Sequence, residues 1–275
     1  MSLNFIPRLK RALMRRLIPR DSHSSLRLWL TGPFEDQKPV LVNEFNREPV
    51  LVLAPHPDDE VIGPAGTLRR HVLAGAPVSV AILTDGSQGG DNRDGGLVER
   101  RKKESQAAAK IIGTQAPLFF DQPDSVLAET PALLARLEEL FSEHDYETIY
   151  LPALTDGHGD HWAANRILAA LLPRLPKKTQ QRLRIRGYEI WSPTFSNCQV
   201  DISATVEVKR QALDCFPSQT GTDDYAGAAL GLNRYRALQH LHGHGYVEAF
   251  LQLNVAEFHQ LFGAASAASA ASAAR

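Results

Sequence analysis

Cysteine is nearly missing: Cys198 and Cys215 are the only two in 275 residues. Two thiols cannot build a dense disulfide scaffold, and no CxxC pair points to a zinc knuckle or a redox centre. The usage suits reduced structural thiols in a cytosolic protein. No stretch reaches the roughly 18 apolar residues that a membrane span requires. An excess of one charge is lacking as well, since 30 basic and 31 acidic side chains leave a formal net charge of -1 and a pI near 6.8. Nothing in that balance attracts the whole protein to nucleic acid, which is not expected as a partner. The start, MSLNFIPRLKRALMRRLIPR, has no clean apolar core followed by a small-residue cleavage site, so it makes a poor signal peptide.

What is present is enough for one substantial core: 43% of residues are hydrophobic and 22% charged. Residues 1–24 are expected to form a basic amphipathic helix and a linker. Leu9, Leu13 and Leu17 recur every fourth position among Arg8, Lys10, Arg11, Arg15, Arg16 and Arg20, and Pro19 ends the pattern. Such a helix docks its leucines on the protein body or a partner; alternatively, residues 3–18 lie on an anionic membrane surface. The expected location is therefore cytoplasmic, with peripheral contact at the inner membrane face as the alternative. Residues 25–262 read as a single α/β domain. Residues 263–275 read as an Ala/Ser tail, helix-prone but with little to bury, and expected to fray. Oligomeric state is left open by the pattern.

From residue 49 onward, strand and helix signals alternate. PVLVLA (49–54) and PVSVAILT (77–84) suit buried strands, with a helix expected over 64–74 between them. A glycine- and aspartate-rich loop over 86–96 precedes a helix over 97–112, which Gly113 stops. Strands near 118–121 and 146–151 alternate with helices over 130–142 and 161–172. The repeated change predicts a Rossmann-like, mostly parallel sheet with helices on both faces. The last third departs from alternation: a strand over 183–191, a helix over 205–215, a stretch broken by Gly221, Gly227 and Gly231, a helix over 232–242 and a late strand over 246–253. Trp191, in strand-like context, is expected to pack in the core, with contact to a ligand as the alternative.

Chemistry concentrates at two strand ends. APHPDDEVIG (54–63) presents His56, Asp58, Asp59 and Glu60 directly after an apolar strand, where open α/β sheets bind ligands. LPALTDGHGDHWAAN (151–165) follows another strand and supplies Asp156, His158, Asp160 and His161. Two clusters of imidazoles and carboxylates at strand ends suit a divalent metal with mixed nitrogen and oxygen ligands. Spacing alone leaves open which of them bind the ion. The 86–96 loop matches neither a Walker nor a dinucleotide-binding pattern and reads as a flexible substrate lid. Ser192 and Ser218 lack a nucleophile–base–acid arrangement, and the HLHGHG run at 240–245 gives only a weak case for a second metal.

These residues carry a resemblance. PHPDDE (55–60), HGDH (158–161), LTDGSQGG (83–90), the Arg101/Glu104 spacing, YEIWSP (188–193) and KRQALDCFPSQ (209–219) resemble the motifs of the PIG-L, or LmbE-like, de-N-acetylase family over roughly residues 47–253. The resemblance implies an LmbE-like fold, one divalent ion, and hydrolysis of an acetamido group. It implies His56, Asp59 and His161 as metal ligands and Asp58 as general base. It gives His158 the role of assisting the transition state in its protonated form, with Asp160 orienting it. Gly159 replaces the usual proline of HPDH, which bears on the precision of the turn and removes no ligand. Zinc fits the mixed donors, and iron or another divalent ion can use them too. Thr84 and Asp85, at the end of the second strand, are expected to line the substrate pocket or else to cap the following turn. Arg101 is expected to hold a sugar hydroxyl or phosphate, with a solvated helix face as the alternative. The expected substrate is an N-acetylated amino sugar, GlcNAc-like, or its glycoconjugate. A non-sugar amide at the same metal site and a noncatalytic glycan-binding protein are the alternatives.

Overall fold

A computed structural model describes residues 39–90, 95–219 and 224–273. The basic helix expected over 1–24 lies outside them. Eight strands form one sheet: β1 (Val40–Val42), β2 (Val50–Ala54), β3 (Val78–Thr84), β4 (Leu118–Gln122), β5 (Thr148–Pro152), β6 (Arg184–Tyr188), β7 (Cys198–Asp201) and β8 (Val247–Asn254). Their order is β1-β7-β8-β6-β5-β2-β3-β4. Every pairing is parallel except those of β8, which runs antiparallel to β6 and β7.

The strands are buried on both faces, which is why they read as continuous apolar runs. In β2, Val50, Val52 and Ala54 face one core and Leu51 and Leu53 the other, the two-residue period of a pleated strand. Helices α2 (Ala65–Leu73), α3 (Leu97–Ile112) and α7 (Val206–Leu213) cover the first face with Leu68, Ala108, Ile112 and Leu213. Helices α4 (Pro131–Glu143), α5 (Gly159–Leu171) and α10 (Val255–Ala273) cover the second with Leu137, Ile167, Leu168 and Phe258. Short helices α1 (Asp59–Ile62), α6 (Lys177–Arg182) and α9 (Leu238–Leu241) complete the set with α8 (Tyr225–Arg236).

Local signals explain several boundaries. Thr130 caps α4 by accepting from Leu133 N, and Pro131 starts the helix where its missing N–H costs nothing. Gly113 ends α3 at φ 88°, a left-handed turn that glycine enters without a Cβ clash.

Three expectations need correcting. Gly227 and Gly231 do not break the chain but lie inside α8, because the helix buries Leu230 and Asn233 against the sheet. The strand near 183–191 ends at Tyr188, so Trp191 stands beyond it, 58% exposed rather than in the core. The Ala/Ser segment continues α10 as far as Ala273, as alanine propensity allows. Strands β1 and β7, both at the sheet margin, had no signal strong enough to mark them.

The topology sets the site. From β2 the chain moves outward through β3 and β4, then returns to the opposite side of β2 as β5. The crevice between the carboxyl ends of β2 and β5 is therefore the switch point of the sheet, where α/β folds bind ligands.

Candidate metal centre

His56, Asp58 and Asp59 follow β2, and His158, Asp160 and His161 follow β5, so the switch point brings both motifs together. The ring centres of His56 and His158 lie 4.8 Å apart, those of His158 and His161 4.8 Å, and those of His56 and His161 5.4 Å. One nitrogen from each falls within 4.8 Å of the others. Asp59 Oδ2 sits among them, 3.2 Å from His56 Nδ1 and 3.3 Å from His161 Nε2. A second grouping joins His56 to Asp124 and Asp160, whose carboxylate oxygens lie 3.3 and 3.2 Å from Nε2.

The loop after β2 is held in an unusual shape. Asp58 adopts φ 133°, a region that non-glycine residues rarely enter and that clusters at functional sites. Its backbone N–H donates to Glu60 Oε2 at 3.0 Å. Arg101, only 2% exposed, anchors the loop from α3: Nη2 donates to Pro57 O (2.8 Å) and Asp58 Oδ2 (3.1 Å), and Nη1 to Gly86 O (2.9 Å). The guanidinium thus stands behind Asp58 instead of on a solvated face. From below, Lys209 Nζ donates to Ile62 O (2.8 Å), Gly63 O (2.9 Å) and Glu248 (2.7 Å), while Glu248 accepts from Gly66 N and Thr67 N. This buried ion pair is fully hydrogen-bonded and fastens both ends of the turn that follows α1.

Burial and charge give each group a different protonation tendency. Burial pushes the Asp58 carboxyl up to about 6, against the pull of Arg101. Burial likewise drives Glu60 up to about 8. Burial opposes ionisation of Asp59 too, yet His161 and His56 hold it well below the usual carboxylate range. For His161, burial works against charge, but Asp59 and Asp156 lift it to about 9. His56 is raised well above its ordinary value against burial by Asp124, Asp160 and Asp59. His158 is lowered, first by burial and then by His56 and His161.

The donor set fits a divalent cation. His161 is fully buried, and although Nε2 approaches Asp59 and Nδ1 approaches Asp156 (3.1 Å), neither ring nitrogen is aligned to hydrogen-bond. Two imidazoles kept protonated by carboxylates, with buried nitrogens lacking hydrogen bonds, are the chemistry of a site that takes a positive ion.

The remaining expected residues fall as follows. The carboxylate of Asp160 does not orient His158: it accepts from Ser125 N (2.7 Å) and Leu127 N (3.0 Å) and faces His56. It is the backbone N–H of Asp160 that reaches His158 Nδ1, at 3.2 Å. That nitrogen is therefore an acceptor, which together with the lowered pKa favours neutral His158 over the protonated form expected from the sequence. Thr84 and Asp85 do not line the cavity. Thr84 Oγ1 donates to Pro55 O at 2.8 Å and pins the first motif, and Asp85 Oδ1 caps its own turn by accepting from Ser87 N at 3.0 Å. The loop read as a lid lines the cavity through Gln88, Gly89 and Gly90. A Cβ at Gly89 would collide with Arg101 Nη1, so glycine is needed there for close approach.

Three residues without an assigned role in the sequence reading belong to the site. Asp156 accepts from His158 N (3.0 Å) and Trp191 N (3.1 Å) while facing His161, a carboxylate behind an imidazole in the manner of metal-supporting residues. Asp124 reaches His56 from beyond β4; its only signal was the acidic run DQPD after a strand. Gln219 lines the cavity and donates to Ser218 Oγ (3.0 Å), which in turn donates to Glu104. The cavity itself is about 250 Å³ and open to solvent.

Fold and donor set define the class: a Rossmann-like α/β protein built around a metal-binding cluster at the sheet's switch point. Comparison with known proteins narrows it. The family model for GlcNAc-PI de-N-acetylases, PIG-L, matches residues 51–172, which span both motifs. The chain belongs to this family and is a metal-dependent hydrolase. It is 29% identical over 215 residues to the diacetylchitobiose deacetylase of Thermococcus kodakarensis, covering 73% of this chain and 77% of that protein. It is 32% identical over 158 residues to a 1D-myo-inositol 2-acetamido-2-deoxy-α-D-glucopyranoside deacetylase of Mycobacterium sp. (strain KMS), covering 46% of this chain and half of the other. Among solved structures, a conserved protein of Thermus thermophilus superposes with TM-score 0.63 at 28% identity, over 74% of this chain and 93% of its own. Among the described residues, no helix is long and apolar enough to cross a membrane.

Proposed function

We propose that the protein removes the acetyl group from an N-acetylated amino sugar, GlcNAc-like or part of a glycoconjugate, with zinc as its metal. The observation that carries this reading is the meeting of two strand-end loops, which gathers three imidazoles and the carboxylates of Asp58 and Asp59 at one open cavity. The relatives above support the substrate class, since both are named for deacetylating acetamido sugars.

His56, Asp59 and His161 would hold the ion, which supplies Lewis acidity toward the amide carbonyl and toward water when bound. Asp58, steadied by Arg101 Nη2, takes a proton from the attacking water and passes it to the departing nitrogen. His158 accepts the Asp160 N–H at Nδ1, so its own proton sits on Nε2 and donates to the oxygen that gains charge. Asp156 and Asp160 hold the imidazoles in place. We take residues 25–262 as one catalytic domain and place the reaction in the cytoplasm, where Cys198 and Cys215, both free, stay reduced.

The test is acetate release from a panel of N-acetylated sugars and glycolipids by zinc-loaded protein, with Asp58→Ala as control. Release that the substitution abolishes supports the reading. Folded, zinc-loaded protein that releases acetate from no sugar overturns it, in favour of a non-sugar amide or a glycan-binding role.

A further inference from the structure

Beside the metal cavity lies a second one of about 420 Å³, and the two share Ile62, Ile190, Trp191 and Tyr225 as a common wall. One side of this annex is helix α8, which presents Ala228, Ala229, Leu232 and Asn233. Its mouth is marked by Trp191, 58% exposed, which meets Tyr225 edge to face with ring centres 6.0 Å apart. An exposed indole between two cavities is not serving the core.

The polar floor of the annex specifies what enters. Asn233 is only 5% exposed, yet its Oδ1 has no hydrogen-bond partner among the described residues. A buried amide oxygen without a donor is uncommon and calls for a group that supplies one. The other polar side chains are carboxylates: Glu189, bound to Arg236 and accepting from Thr194 N, Glu248, bound to Lys209, and Asp224, accepting from Gly227 N. Two cations against three carboxylates repel an anionic ligand, and acceptors outnumber donors. The complement is an uncharged group with hydroxyl donors on its edge and an apolar face for Trp191 and Leu232.

We propose that the annex is a second subsite that takes an uncharged sugar ring joined to the acetamido sugar in the metal cavity, with Asn233 Oδ1 accepting from a ring hydroxyl and Trp191 packing on the ring face. This rests on the deacetylase reading and adds its specificity: a neutral disaccharide unit is preferred to a single sugar, and to one carrying an anionic aglycone.

The experiment is calorimetric binding to zinc-loaded Asp58→Asn protein, which blocks turnover, using N-acetylglucosamine, N,N′-diacetylchitobiose and N-acetylglucosaminyl malate. The disaccharide is expected to bind at least tenfold tighter than the monosaccharide, and the malate glycoside no tighter. Ala228→Trp, at an exposed helix position lining the annex, fills the cavity without entering the core; it is expected to erase the disaccharide advantage and leave monosaccharide affinity within about twofold. Asn233→Leu is expected to remove part of the same advantage. Equal affinity for the two neutral sugars, an equal gain from malate, or an advantage that survives Ala228→Trp overturns the proposal. Acetate release by the unsubstituted protein is read separately. Annex-dependent binding without release sinks the deacetylase reading alone, and release without a disaccharide advantage sinks the annex alone.

Discussion

The metal cavity and the annex share a wall, yet they are built by different means. The first is assembled from loops at the ends of β2 and β5, and nearly every polar group in it is engaged by another loop residue. The second is made from one face of α8 and an exposed tryptophan, with a single buried oxygen unmatched. Groups that do chemistry must be fixed relative to one another, so they occur as dense motifs with short spacing. A surface that recognises a neutral ring needs shape and a few polar atoms, and its residues look like ordinary helix surface. Reaction type is thus written in motifs, whereas substrate choice is written in a helix face.

The largest effects should come from the metal cavity, and they should divide by role. His161→Ala is expected to lose both bound metal and activity. Asp58→Asn should retain metal while acetate release falls about 10²- to 10⁴-fold, the usual range for a general base. Metal content by mass spectrometry alongside turnover separates the two. Equal metal loss in both would remove Asp58 from its assigned role.

Next in size is the support that the cavities share. Lys209 ties the carbonyls of Ile62 and Gly63, and its partner Glu248 lines the annex. Lys209→Met leaves Glu248 buried without its cation, which should cost about 3–5 kcal/mol. In a domain of this size that corresponds to a fall in melting temperature of roughly 6–20 °C. Adding Glu248→Gln should restore part of the loss, because the stranded charge is gone. If Lys209→Met melts within about two degrees of the parent, well short of that range, the pair is not what holds the turn.

How much of this was legible follows the same division. The strands β2, β3 and β5 announced themselves as apolar runs, and the residues that meet at their ends were visible as two motifs. The role of Arg101 was not legible: RRKKE reads as a charged helix face, and only the tertiary fold turns its second arginine inward to Asp58. Helix α8 was missed in part because two glycines, each costing about 1 kcal/mol against alanine, argue locally for a break. Burial of Leu230 and Asn233 outweighs that local preference. Asp124 was missed because a carboxylate on a loop has no periodicity, and its partner His56 is far away in sequence.

The smallest effect concerns a histidine that belongs to neither cavity and shows why those of the metal site behave as they do. His71, on α2, is buried like His56 and His161, but burial first, and then Arg186, Arg184 and Arg70, push it down to about 3. Arg186 donates to Tyr150 Oη at 2.6 Å, so the tyrosine's own proton is given to His71 Nε2 at 3.0 Å, which suits a neutral ring. Carboxylate neighbours raise two buried histidines; arginine neighbours lower the third. Because the unfolded chain binds a proton near 6.5 and the folded one only near 3, the contribution of His71 is intact above pH 6.5 and lost as pH falls through that window. The slope is at most about 1.4 kcal/mol per pH unit. His71→Gln keeps an acceptor for Tyr150 and removes the titration. Urea unfolding of both proteins at several pH values between about 4 and 6.5 should therefore show the parent losing stability faster than the variant. A constant difference across that range would mean that His71 is not held neutral, and that burial among arginines does not act here as the opposite of burial among carboxylates.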